Sequence, residues 1–233
     1  RWLQCADCRA AMTAHGLRDA SDLQAWFMNP LIGQVASAGK SAIVWNEAVA
    51  SARLDPRAVM QFWREPGGAP QARAALAAGR PAILSPLRPY YLDYPHGMWG
   101  LDASRSFDPR RWAGPAAESL LGVEAPLWTE YVDQEEDIWR RLLPRLFAVA
   151  ETGWAGSPDA DASSFARRVD AADAWLRRLG FAGTAPADAD PGRWQALAET
   201  GRFVGGAFDP RWLELPVRAG REALLRWWRR REA

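Results

Sequence analysis

Short apolar runs set between helix-forming segments constrain the fold of this chain more than any other feature. SAIVWNE (41–47), VMQFW (59–63), PAIL (81–84) and LLGVEAPLW (120–128) have the length and β-branched or aromatic content of buried strands. An Ala-rich helix, APQARAALAAG (69–79), separates the second from the third and is closed by Gly79. Strand–helix alternation of this kind argues for a parallel α/β sheet. Only four strands are convincing, whereas a complete eight-stranded barrel takes about 250 residues. The expectation is therefore an α/β fold: the C-terminal half of a TIM (β/α)8 barrel over 1–155, followed by a C-terminal helical extension over 156–233.

The rest of the chain fits around these runs. Residues 1–40 read as helical with a break near Asn29-Pro30, Ser21 and Asp22 as N-caps, and Gly39 as a stop. Residues 85–115 read as a long loop rich in Pro, aromatics and charge, a length that usually carries function. EEDIWRRLLPRLFAVAE predicts an amphipathic helix over 134–152, with Pro144 as a kink or break. From Ser157 onward, SPDADASSFARRVDAADAWLRRLG predicts a polar-capped helix and TAPADADPG a linker or an exposed loop. REALLRWWRRREA predicts a basic helix with a solvated charged face.

Composition removes several function classes. Lys plus Arg number 29 against 28 Asp plus Glu, so the chain lacks the basic excess that a nucleic-acid or acidic-membrane partner requires. No apolar stretch approaches the length of a membrane span. Cys5 and Cys8 form a C-x-x-C, but the only histidines are His15 and His96; free thiols or a local disulfide fit better than a zinc site. No metal and no cofactor is expected. The chain starts at Arg1 with no visible signal peptide, which we read as a cut, so the compartment stays open.

Tryptophan is the outlier, at 14 copies. Each indole N–H wants a partner when buried, so packing alone rarely uses so many. Three of the apolar runs lead to an aromatic residue two positions before an acid: Trp45-Asn46-Glu47, Tyr91-Leu92-Asp93 and Trp128-Thr129-Glu130. In a strand, residues two apart share a face, so each triplet would offer a ring beside a carboxylate at a strand end. A ring stacks on the apolar face of a sugar and an acid accepts from its hydroxyls. Repeated on successive strands, the triplets suggest a carbohydrate pocket at the C-terminal face of a barrel.

Several separated motifs, in order, resemble glycoside hydrolase family 20, the β-N-acetylhexosaminidases. Gly122, Val123, Ala125, Trp128 and Glu130 match the family's last strand, and Pro144, Arg145, Leu146, Ala150, Glu151 and Trp154 its last helix. Gly39-Lys40, Trp45-x-Glu47, VMQFW and YYLDYP match upstream, so the resemblance covers roughly 1–180. It implies a retaining hydrolase acting on terminal GlcNAc or GalNAc, in which the substrate's own acetamido oxygen attacks the anomeric carbon. It implies Tyr91 as the catalytic hydroxyl on that oxygen, Asp93 and Glu130 on ring hydroxyls, Trp128 as stacking floor, and Trp45 and Trp63 as acetamide-pocket walls. Trp99 and Trp112 are further candidates for that pocket, Glu47 is expected behind it, and Arg145 is expected as an ion-pair partner.

One departure matters. The family's His-x-Gly-Gly-Asp-Glu segment, carrying the general acid and the acetamide-orienting aspartate, has no match in these 233 residues. Glu135-Glu136-Asp137 suits a helix start instead. The partners implied are an N-acetylhexosamine-containing glycan and a missing N-terminal half of the barrel. The alternatives are a non-catalytic sugar-binding remnant of the same fold or, more remotely, a helical interaction module using the basic C-terminus.

Overall fold

The computed structural model describes residues 2–65, 68–156 and 161–207. The predicted basic helix over 221–233 lies outside them. The chain begins with two helices, α1 (Ala6–Ala14) and α2 (Ala20–Ser37). Asp19, not Ser21 or Asp22, caps α2: its backbone is extended and its carboxylate accepts the Asp22 N–H at 2.9 Å. The break expected at Pro30 does not occur, and α2 runs through it. The lost helical hydrogen bond is offset by Asn29, which donates to the Arg53 carbonyl at 2.9 Å and accepts the Asp55 N–H at 2.8 Å. The helix stops before Gly39, whose φ of 70° is readily reached only without a Cβ.

Four strands follow: β1 (Ile43–Trp45), β2 (Val59–Phe62), β3 (Ala82–Leu84) and β4 (Leu120–Val123). They pair in sequence order, all parallel, with Val44 opposite Met60, Met60 opposite Ala82 and Ala82 opposite Leu120. The register shifts by one residue within the β3–β4 pair, leaving Leu121 outside the ladder. Among the described residues, β1 and β4 each keep an unpaired edge.

Alternation sorts the strand side chains. Met60, Phe62, Ala82 and Leu84 are buried against Ala72 and Leu76 of α3 (Ala69–Ala77) and Trp112 and Ala113 of α6 (Pro109–Ala113). Val44 packs on Ala25 and Ile32 of α2. Ile43 and Trp45 point to the opposite face and stay exposed, as does the bulged Leu121. The stretch 85–115, expected as a loop, carries α6 and two further short helices, α4 (Leu87–Tyr90) and α5 (Leu101–Ser106). The predicted helix over 134–152 is two helices, α7 (Glu135–Leu142) and α8 (Arg145–Ala155), separated at Leu143-Pro144.

Beyond α8, helix α9 (Ala162–Arg178) opens on Asp161, which caps the N–H groups of Ser163 and Ser164. Phe165 and Val169, one helical turn apart, bury against Ala148 of α8 and Leu101 of α5. Ala189 completes that cluster, so the segment 184–192, expected as a linker or exposed loop, is anchored there, while Ala187, Asp188, Asp190 and Gly192 stay exposed. Its Asp190 carboxylate accepts the Asp102 N–H at 3.0 Å, which an exposed linker would leave to water. A last helix, α10 (Arg193–Ala207), follows. No helix of the described residues is long and apolar enough to cross a membrane.

Candidate functional site

The three aromatic-acid triplets do not sit in strands. β1 ends at Trp45, Glu47 begins a 3-10 turn, Tyr91 follows α4, and Trp128 caps a 3-10 turn over Thr129–Tyr131. The same-face argument therefore fails locally; the prolines at 86, 89 and 126 lack the N–H that would continue a ladder after β3 and β4. The residues converge because each triplet follows the carboxyl end of one strand of a parallel sheet. Trp45, Trp63, Tyr91, Asp93, Trp128 and Glu130 all line one cavity of about 800 Å³.

Four rings frame it. Trp45 and Trp63 lie 6.4 Å apart between centroids, Trp63 and Tyr91 6.1 Å, Tyr91 and Trp128 6.4 Å, and Trp128 and Trp45 6.2 Å. The four contacts form a closed circuit, so the rings make one continuous aromatic stretch of the cavity wall. Trp63 is held from behind. Its indole N–H donates to both Glu47 oxygens, at 2.8 and 3.0 Å, and its backbone N–H donates to the buried Asn46 Oδ1 at 3.0 Å. Glu47 thus lines the cavity and orients its wall at once.

The acid side is held by two arginines. Arg141 of α7 donates to the carbonyls of Asp93 and Tyr131, tying the two acid-bearing segments together. Arg145, expected as an ion-pair partner, is fully buried and serves carbonyls instead: Trp99 at 3.0 Å, Leu92 at 2.7 Å and Arg141 at 2.7 Å. Burial pushes its guanidinium down to about 9, so it remains charged at neutral pH. Leu92 also donates its N–H to the Pro126 carbonyl at 2.8 Å, setting the Tyr91–Asp93 segment beside Trp128.

Burial also shapes the site's titration. The Asp93 carboxyl is almost wholly buried and is pushed up to about 6 by loss of solvation, with Glu130 adding to the shift. Among the described residues, its Oδ1 has no hydrogen-bond partner. A buried acceptor without a donor is costly, and a sugar hydroxyl is one group that could supply it. Burial likewise raises Tyr91 to about 12, against the Trp128 side chain, so its phenol carries a proton to donate throughout the neutral range.

Trp99 and Trp112 do not complete the cavity. Trp99 packs on Tyr94 at 4.3 Å, and Trp112 packs on Phe62 at 4.5 Å while its indole donates to Glu65 at 3.1 Å. The residues the sequence reading passed over are Tyr94 and Tyr131, both in the cavity wall. A signal was there: YLDY and WTEY each follow their acid with a tyrosine. On the remaining side, next to the open edge of β1, the wall is Gln24, Met28 and Ile43. Among the described residues, no three His, Cys, Asp or Glu side chains are grouped to hold a metal.

Rings and acids gathered at the carboxyl ends of parallel strands define an α/β protein with its site at the C-terminal face of the sheet. The model of glycosyl hydrolase family 20, catalytic domain, matches residues 1–157, and the chain belongs to that family. A β-N-acetylhexosaminidase of Cellulomonas fimi is 34% identical over 167 residues, 65% of this chain and 34% of that protein. The β-N-acetylhexosaminidase structure from Bacteroides fragilis superimposes with a TM-score of 0.67 at 26% identity, over 78% of this chain and 39% of that one. A Streptomyces plicatus β-hexosaminidase variant, solved with its product GlcNAc, gives 0.62 at 27% identity, over 71% and 36%. These structures and the parallel sheet fit a TIM-barrel-like fold. The chain spans about a quarter to a third of the length of the first curated relatives it matches.

Proposed function

We propose that residues 1–155 are the C-terminal half of the (β/α)8 barrel of a retaining β-N-acetylhexosaminidase, and 156–233 its C-terminal helical extension. The two unpaired sheet edges support this, since a barrel closes only when such edges are paired. So does the cavity, whose β1 side ends at one of those edges. The substrate is a glycan ending in GlcNAc or GalNAc.

In the proposed reaction the 2-acetamido oxygen attacks the anomeric carbon as the glycosidic bond breaks. The leaving oxygen takes a proton from a general acid, an oxazolinium-like intermediate forms, and water opens it with overall retention. The general acid and the acetamide-orienting aspartate come from the N-terminal half. This chain supplies the rest. The ring circuit encloses the acetamide methyl and underlies the sugar, the Tyr91 hydroxyl donates to the acetamido oxygen, and Asp93 and Glu130 accept from ring hydroxyls. The observation that carries the reading is the closed four-ring frame with the Tyr91 phenol in it and both acids on the same cavity.

The test is turnover of an aryl N-acetyl-β-glucosaminide by this chain alone and by the chain joined to its upstream coding sequence. The joined protein should be active. The isolated chain should lack the factor of about 10²–10⁴ that general-acid catalysis contributes, and half of its pocket besides. Comparable turnover by residues 1–233 alone would overturn the proposal. The absence of a His-x-Gly-Gly-Asp-Glu segment from these residues favours a second reading, a non-catalytic sugar-binding remnant. That reading gains if the joined protein binds N-acetylglucosamine without hydrolysing the glycoside.

A further inference from the structure

Helix α10 lies beyond the residues that the family model matches, yet it touches the cavity wall. The Phe203 ring packs against two tyrosines, 5.1 Å from Tyr94 and 4.7 Å from Tyr131. Those tyrosines directly follow Asp93 and Glu130 and line the cavity with them. One turn earlier, Glu199 accepts the backbone N–H of Gly97 at 2.8 Å and is itself held by Gln195 at 3.0 Å. Ala196, Glu199 and Phe203 share one face of the helix. The approach is so close that a Cβ on Gly97 would lie 2.8 Å from the Ala196 backbone, so this docking requires glycine. His96 adds a contact to the Ala189 carbonyl at 3.3 Å.

We infer that α10 is a positioning element of the substrate cavity: Phe203, wedged between Tyr94 and Tyr131, and Glu199, holding Gly97, fix the spacing of the Asp93 and Glu130 carboxylates. Neither side chain touches substrate. The effect passes through the two tyrosines, which are one peptide unit from the acids. Without the wedge, each tyrosine segment keeps its Arg141 staple but loses the ring that sets their separation. This rests on the proposed role of the two acids in holding sugar hydroxyls.

The experiment uses the full chain joined to its upstream coding sequence, with three variants: Phe203→Ala, Phe203→Tyr and Gly97→Ala. Phe203→Ala should raise KM for an aryl N-acetyl-β-glucosaminide by about tenfold to a hundredfold, the scale of a misplaced positioning group, with a smaller change in kcat. Phe203→Tyr keeps the ring and should restore KM. Gly97→Ala pushes the helix off without removing any ring and should reproduce the KM rise. If Phe203→Ala fails to fold, Gly97→Ala carries the comparison. Wild-type KM in a folded Phe203→Ala or Gly97→Ala protein would overturn the inference, as would equal loss in Phe203→Ala and Phe203→Tyr. An inactive wild type would count against the functional reading alone. The ring resonances of Tyr94 and Tyr131 then decide: Phe203→Ala must shift both, and unmoved resonances would refute the positioning role.

Discussion

Replacing Tyr91 with Phe, in the chain joined to its upstream coding sequence, deletes one hydroxyl and leaves the ring. The ring stays in its frame, 6.1 Å from Trp63 and 6.4 Å from Trp128. The Trp128 side chain, which lies near the lost hydroxyl, is partly exposed, so its N–H can turn to water and folding should change little. Catalysis is different. In the proposed reaction the acetamido oxygen gives an electron pair to the anomeric carbon in the transition state, so a donor on it serves to position the oxygen rather than to stabilise charge. The phenol, raised to about 12, is protonated at neutral pH, and in the proposed reaction it would position that oxygen at the moment of attack. Losing the group that positions the attacking oxygen costs about 10² in turnover, or about 2.7 kcal/mol. Steady-state kinetics should show that fall in kcat with KM little changed. Wild-type kcat in a folded Tyr91→Phe protein would show that Tyr91 only packs at the end of α4.

Other consequences concern charge and burial. Asp93 is raised to about 6, above the range of an exposed carboxyl, so its ionisation destabilises the fold as pH climbs from about 4 through about 6. Asp93→Asn should therefore raise the unfolding free energy at pH 7, by about 1–2 kcal/mol after allowance for water reaching the group, yet lower activity. The gain should vanish at pH 4, and a gain equal at both pH values would contradict the cause assigned. Tyr90, Tyr91 and Tyr94 are each pushed up to about 12 by burial. The unfolded chain ionises near 10, so stability should fall between about pH 10 and 12, with phenolate absorbance appearing together with unfolding. Phenolate absorbance rising near pH 10 before unfolding would refute it. Arg145→Met strips donors from three carbonyls; at about 1–3 kcal/mol each, less the recovered desolvation of the guanidinium, the net loss should be at least about 3 kcal/mol by denaturant unfolding.

The strands were legible because β-branched and aromatic residues are concentrated in them and glycine or proline bounds them. LLGVEAPLW was the exception: its strand ends at Val123, and the rest turns away toward Trp128. Local signals failed where distant contacts decide. Pro30 stays helical because Asn29 reaches the 53–55 turn, and the polar segment before α10 is docked because Ala189 finds the cluster around Phe165. The six candidate site residues lie on one cavity although the strand-face argument for them fails, because a parallel sheet delivers successive loops to one end. Trp99 and Trp112 show the opposite: aromatic and in the right stretch, but turned into the core by Tyr94 and Phe62. The Phe203 wedge has no short-range signature, being over a hundred residues from Tyr94.

In the proposed reaction the ring frame serves a 2-acetamido group which itself attacks the anomeric carbon. The direct measurement compares an aryl N-acetyl-β-glucosaminide with the matching β-glucoside, on the chain joined to its upstream coding sequence. The glucoside keeps every ring hydroxyl for Asp93 and Glu130 but has no acetamide for Tyr91 and the four rings. Turnover of the acetamido substrate with none detectable for the glucoside is the predicted result. Comparable turnover of both would contradict the account.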